Sequence, residues 1–287
     1  MARPKRHPAG GQGPAQEPGN AVKPLRFTNV QAPNQDFIIQ ALAEHVALRL
    51  GMPTETVVDI RWQERESFLL KGQVDLGWVC GLTYVRQADR LRTGIELLAA
   101  PVMDDPRYQN RSVYYSDVIV RRASHFRRFE DLRGSRWAFN EPHSHSGYNI
   151  TRYHLAQIGE PKGFFKSALQ AGSHQRCIAL VLQSAADAAA IDSTVLEIEL
   201  RANPMLASQL RVIHSMGPSP IPPLVARVGM ERDVRAAVLD LLLDVHRDPE
   251  AQEFLRRGGI RRFVEVTDQD YDPIRDMALR AKGVQLI

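Results

Sequence analysis

Two α/β-patterned series, each followed by a long extended segment, constrain the fold of this chain more than any other feature. From Leu25 onward, "LRFTNV" (25–30) has the composition of a strand, and "DFIIQALAEHVALRLG" (36–51) has helical periodicity closed by Gly51. A strand is predicted at "TVVDIRW" (56–62), a short helix over "QERESFLLKG", and a buried strand over "VDLGWVCG" (74–81). Continuous apolar runs of this kind suit parallel strands covered on both faces. "RSVYYSDVIVRR" (111–122) is extended over about twice the usual ~5–6 residues of a strand. A second series follows: a short helix at "FRRFEDLRG", a strand at "RWAFN", helices at "GYNITRYHLAQIG" and "QRCIALVLQ", and a strand at "ADAAAID". "LRVIHSMGPSPIPPLVARV" (210–228) is extended again, and the remainder is helical, with a last helix near 271–282. The alternation predicts an α/β fold. A chain that leaves one lobe, builds another and returns gives two lobes joined by two crossovers. Lobe 1 is expected from residues 24–117 plus 215–287, and lobe 2 from 118–214. Ligands bind in the cleft between such lobes.

Composition removes several function classes. No run approaches the ~18 apolar residues of a membrane-spanning helix. The net charge of +4 is carried largely by arginine, in stretches such as "RRASHFRR" (121–128) and "FLRRGGIRR" (254–262). These lack interleaved aromatics or a nucleic-acid motif, so they read as solvated surface, and no nucleic-acid partner is expected. Cys80 and Cys177 sit in apolar contexts that suit buried thiols, and without a CxxC no thiolate zinc site is expected. The first 23 residues are rich in Pro, Gly and Ala and read as a disordered tail. They lack the apolar centre of a secretory signal, which predicts a cytoplasmic protein if Met1 is the native start.

"NEPHSHSGYNITRYHL" (140–155) carries the chemistry, and it supports two incompatible sites. His143, His145 and His154 are possible metal ligands, but their spacing is not that of ligands one helical turn apart, and no HExxH accompanies them. No metal and no cofactor is therefore expected. The alternative is an anion cradle, because Ser144 and Ser146 stand where a strand–loop–helix unit begins its helix. A helix start presents unpaired N–H groups and a partial positive charge. Serine hydroxyls add donors, and Gly147 permits close approach of the backbone. One of the two serines could equally be a plain N-cap. "QAGSHQRCIALVLQ" (170–183) repeats the device with Gly172, Ser173 and His174, and a histidine there can donate to an oxyanion.

Five segments follow the order of a known family: "KGQVDLGWVCGLTYV", "VYYSDVIVRR", "FEDLRGSRWAFNEPHSHSGYNITRYHL", "AGSHQRCIALVLQSAADAAAIDSTVLE" and "RVIHSMGPSPIPPLV". Over roughly residues 25–265 the chain resembles the phosphate/phosphite/phosphonate-binding proteins of ABC importers. The resemblance implies the two-lobed type II periplasmic-binding-protein fold, with two mixed sheets flanked by helices, and no catalytic activity. It implies a cradle from Ser144, His145, Ser146 and Gly147, with His174 as the binding histidine, Tyr114 on the first crossover strand and Trp62 on the other lobe's wall. Asp192 is a further candidate contact, with a sheet-end or capping role as the alternative; for Asp187 a sheet-end or capping role is favoured. The partners implied are a small oxyanion and an importer permease. A monomer and a periplasmic location are expected on the same ground.

Binders of amino-substituted phosphonates place a carboxylate where this chain has Thr194, and a second acidic residue expected around "PSPIPPLV" is missing. An ammonium buried without a carboxylate is costly. The expected ligand is therefore phosphate, phosphite or a simple phosphonate. The rival classes are an enzyme on the same fold, making a cofactor precursor or dehydrating a small acid, and a cytoplasmic ligand sensor. No ordered Ser/His/Asp set, carboxylate pair or polar nucleophilic Cys supports catalysis.

Overall fold

A computed structural model describes residues 23–90 and 94–287. The tail expected over residues 1–23 lies outside them except for Lys23. The first series runs β1 (Leu25–Asn29), α1 (Asp36–Leu50), β2 (Thr54–Thr56), α2 (Trp62–Leu70), β3 (Leu76–Trp78), α3 (Gly81–Ala88) and β4 (Ile95–Met103). In α1, Ile38, Ile39, Leu42, Ala43 and Val46 turn one apolar stripe to the core, while Asp36 and Arg49 complement the helix dipole at its two ends. β5 (Val113–Arg121) then carries the chain into the second series. This comprises β6 (Arg136–Phe139), α4 (Ile150–Gln157), β7 (Ser167–Gln170), α5 (His174–Leu182), β8 (Ala188–Asp192), α6 (Ser193–Ala202) and α7 (Met205–Gln209). β9 (Leu210–Pro220) and β10 (Leu224–Arg227) lead back, followed by α8 (Arg232–Asp244), α9 (Gln252–Gly258), β11 (Ile260–Val264) and α10 (Asp272–Arg280).

The strands form two mixed sheets. One has the order β11-β4-β10-β3-β1-β2, and the other β7-β6-β8-β5-β9. β2, β1 and β3 are parallel, as are β7, β6 and β8, whereas β10 runs antiparallel to β3 and β5 antiparallel to β8. The second sheet packs on an aromatic core in which Trp137 stacks on Phe165 at 4.6 Å and Phe129 on Phe164 at 5.3 Å. The C-terminal Val284 and Leu286 join this core. Arg152 holds that tail by donating to the carbonyls of Ala281 and Val284 at 2.7 and 2.8 Å.

Several boundaries differ from the sequence expectation. The strand expected over 56–62 is confined to Thr54–Thr56, and Trp62 instead opens α2. The run 74–81 is a strand only over Leu76–Trp78, after which Cys80 caps α3. A short apolar run cannot distinguish a buried strand from a strand joined to a helix start. The segment 210–228 divides into β9 and β10, which belong to different sheets. Pro222 and Pro223 lie between them, and proline cannot donate to a ladder. β4, β7, α3, α6 and α7 carried no sequence expectation, and β11 interrupts a region expected to be helical throughout. Both cysteines are free thiols, and Cys177 is buried as expected, while Cys80 is half-buried at the edge of the cavity described next.

Candidate functional site

A cavity of about 400 Å³ lies between the two sheets. Segments 29–33, 60–66 and 80–83 line it from the first series, and 140–146, 172–175 and 192–195 from the second.

The two helix starts meet at its base. After β6 the loop turns at Ser144, whose Oγ accepts the Gly147 N–H at 3.1 Å and caps a π-helical turn (His145–Asn149) leading into α4. Ser173 caps α5 likewise, accepting the Arg176 N–H at 3.2 Å. Ser144 is therefore the N-cap, while Ser146 is left free for another role. Its Oγ lies 3.2 Å from His174 Nε2, and Asn140 Nδ2 donates to the same nitrogen at 3.3 Å. The other ring nitrogen, Nδ1, is buried and has no partner among the described residues. Burial lowers the His174 pKa to about 4, so the ring is a neutral donor at neutral pH. A Cβ on Gly147 would collide with Asn140 Oδ1 and crowd the His174 ring at 3.3 Å, so only glycine lets this helix start approach so closely. Gly172 turns the chain into α5 at φ +87°, a conformation costly for other residues.

Asp192 ends β8 and caps α6. Its Oδ1 accepts the Thr194 N–H at 2.9 Å, the Thr194 hydroxyl at 2.7 Å and the Val195 N–H at 3.5 Å. Oδ2 has no partner among the described residues. Asp192 lines the cavity, and burial pushes its pKa up to about 7 against the pull of those donors. Trp62 is half-buried in the facing wall.

The structure does not bring His145 or Tyr114 to the cavity. The His145 side chain turns inward, with Nε2 3.0 Å from Ser219 Oγ and Nδ1 3.2 Å from Asn149 Nδ2, and only its N–H faces across, to Cys80 Sγ at 3.4 Å. Ser144 and Ser146 lie on the cavity side of the helical turn, so the residue between them points to the core. Tyr114 is buried behind the cradle, backing onto Ser146 with its ring 6.4 Å from that of His145. Gly147 supports the wall without lining it. The three histidines of the metal alternative diverge: His143 pairs with Arg86 of α3 at 2.8 Å, and His154 packs on Phe129 and His214. Asp187 holds Arg136 at 2.7 Å, a structural role as favoured.

Several site residues gave no local signal. Arg65, buried in α2, donates to the carbonyls of Ile60 (2.8 Å), Asn29 (3.0 Å) and Val58 and to Asp36 Oδ1 (2.8 Å), fixing the loop that forms one wall. Thr194 bonds to Asp192 and accepts from Gln35 Nε2 at 3.0 Å, while Asn34 Nδ2 donates to the Val195 carbonyl at 3.1 Å. These bonds tie the single helical turn Pro33–Gln35 of the first series to the start of α6. Glu66 and Glu141 also line the cavity, each taking one bond, from Thr83 at 3.2 Å and Gln170 at 2.7 Å. Carboxylates thus reach the cavity from positions other than 194. Only Asn140 had a readable cue, as the polar residue ending "RWAFN" at the carboxyl end of a parallel strand.

A family model for the ABC-transporter phosphonate periplasmic substrate-binding protein matches residues 31–271. The chain belongs to this family. Among its relatives, a probable ABC-transporter phosphite-binding protein, PhnD1 of Prochlorococcus marinus, is 22% identical over 92% of this chain and 91% of its own length. The phosphonates-binding periplasmic protein of Escherichia coli is 25% identical over 72% of this chain, which spans 61% of that relative. The structure of Prochlorococcus marinus PhnD1 in complex with methylphosphonate superposes with a TM-score of 0.79 at 20% identity, covering 92% of this chain and 100% of the other. The two mixed sheets flanked by helices are those of this fold, as the sequence predicted. No helix among the described residues is long and apolar enough to cross a membrane.

Proposed function

We propose that the chain captures a small phosphorus oxyanion (phosphite, phosphate or a simple phosphonate) between its lobes and delivers it to the permease of an ABC importer. The observation that carries this reading is the convergence of two helix starts at Ser146 and His174, 3.2 Å apart, with a buried, unpartnered Nδ1. Neutral donors and helix-start N–H groups suit an oxyanion, and burial strengthens each bond. The binding residues are Ser146, His174, Trp62 and Asp192, together with Ser144, whose hydroxyl accepts the Gly147 N–H as cap and donates its own proton to the ligand. His145, Gly147 and Tyr114 act behind them as positioning residues. The lobes are residues 24–117 plus 215–287 and residues 118–214, with the C-terminal tail carried on the second. They close about β5 and β9, and the Gln35–Thr194 and Asn34–Val195 bonds form on closure. The protein works as a monomer in the periplasm, without catalysis.

A thermal-shift panel tests the ligand class. Phosphite, phosphate or methylphosphonate is expected to raise the melting temperature. A panel in which these leave it unchanged while sulfonates or carboxylates raise it would sink the phosphorus reading. A larger shift with 2-aminoethylphosphonate than with methylphosphonate would move the ligand to a zwitterion held by Glu66 or Glu141.

Asp192 gives binding a pH dependence. Below about pH 7 its carboxyl is protonated and can donate to the oxyanion, and above it the carboxylate repels the ligand. Affinity for methylphosphonate, compared with that of Asp192→Asn at each pH so that the ligand's own titration cancels, is expected to fall by up to about tenfold per unit above pH 7. A wild-type profile parallel to that of Asp192→Asn between pH 6 and 8.5 would remove Asp192 from the site.

A further inference from the structure

The arginine-rich stretch 121–128 takes on a different meaning once folded. β5 ends at Arg121, five residues beyond Ser116, the residue paired with Asp192, so this pole of the second lobe is ~16 Å from the cavity along the strand. There Arg127 and Arg211 converge on the same two carbonyls. Arg127 Nη1 donates to Ser124 O at 2.6 Å and Phe126 O at 3.0 Å. Arg211 Nη2 donates to the same oxygens at 3.1 and 2.7 Å. Arg122 joins them, its Nη2 donating to the Ala207 carbonyl at 2.7 Å.

Among the described residues, none of these three side chains pairs with a carboxylate. The nearby Asp131 is occupied by the N–H groups of Arg127 and Arg128 at 2.8 and 3.2 Å and by Arg128 Nε at 3.4 Å. Desolvation, and after it the charges of Arg127 and Arg122, hold the Arg211 guanidinium below its ordinary pKa. Beside Arg122 lies a hollow of about 490 Å³ lined by Arg121, Arg122, Ala123, Leu182, Ser208 and Gln209, with no acidic residue.

Two guanidinium groups sharing their acceptors repel each other unless an anion lies between or above them. Their carbonyl anchors fix the planar forks in place, so little side-chain entropy is lost when the remaining N–H groups take a ligand. We infer that Arg122, Arg127 and Arg211, with the adjoining hollow, form a second anion site at the pole of lobe 2 that takes a phosphate group. The phosphate can come from a lipid headgroup or from a soluble anion, and the two sources are separable.

The test uses the full chain carrying Ser146→Ala and His174→Ala to weaken the cleft, and the Arg122→Gln and Arg127→Gln variants separate any binding the cleft retains from binding at the pole. One arm measures flotation with phosphatidylglycerol/phosphatidylcholine vesicles against pure phosphatidylcholine, and the other titrates inorganic phosphate by calorimetry. Binding is expected in at least one arm, weakened about five-fold by each of Arg122→Gln and Arg127→Gln. It should be unchanged in Arg128→Gln, whose side chain already faces Glu130 and Asp131. Binding to vesicles alone assigns a headgroup, and a phosphate isotherm alone assigns a soluble anion. Absence of binding in both arms overturns the inference, as does an equal loss in Arg128→Gln, which would indicate diffuse charge rather than a site.

Discussion

Replacing His174 with alanine is expected to weaken oxyanion binding by roughly 100-fold or more and to abolish the ligand-induced thermal shift. A hydrogen bond to a charged group contributes about 1.5–3 kcal/mol, and a desolvated pocket raises the cost of losing a partner to ~2–5 kcal/mol. His174 sits at the upper part of that range because it does two things. Its buried Nδ1 has no partner among the described residues, and its Nε2 lies within hydrogen-bonding distance of both Asn140 and Ser146, fixing the two side chains against the ring. Ser146→Ala removes one of these contacts and should cost about tenfold less than His174→Ala. Calorimetry with methylphosphonate measures both. If His174→Ala retains affinity within threefold of wild type while remaining folded, the ligand does not rest on the two helix starts.

The largest effect on stability is expected at Arg65. Replacing it with leucine leaves Asp36 without its cation and strips the carbonyls of Asn29, Val58 and Ile60 of a donor in a buried setting. Breaking a buried, hydrogen-bonded charge pair costs about 3–5 kcal/mol. At ~2–4 °C per kcal/mol for a chain of this size class, melting should fall by roughly 10 °C. Binding should weaken as well, because the same bonds hold the 57–61 loop against the cavity. Arg65→Lys should recover little, since a point charge cannot serve four acceptors in one plane as the guanidinium does. Thermal and urea denaturation measure the change, and a loss below about 1 kcal/mol would show that water replaces the guanidinium in the wall.

The limits of the sequence follow from what each signal encodes. Ser144, Ser146 and His174 were readable because a helix start has a local signature of small polar residues after a strand and before an apolar period. That same signature could not assign the two serines, since capping and ligand contact require the same hydroxyl. Trp62 stands in the cavity wall at the first turn of a helix, where a strand was expected. Its context, "DIRWQERES", carries no periodicity that separates the two. Tyr114 and His145 were placed by resemblance to a motif, and a motif records chain position rather than side-chain direction. Rotation about the turn sends position 145 to Ser219, 74 residues away in the sequence.

The architecture was legible in the chain alone. Two α/β series separated by long extended segments admit two sheets with crossovers, because apolar period and turn chemistry are local properties of the chain. The two helix starts were legible there as well, at Ser144–Ser146 and Ser173–His174. Folding alone reveals which side chains share a cavity, that Thr194 and Gln35 tie the two halves together, and that Arg127 and Arg211 crowd the same two carbonyls. Gln35 and Thr194 are 159 positions apart in the chain. No pattern within one segment can specify where another segment's atoms will lie, so these contacts exist only once both sheets have formed and their loops have met.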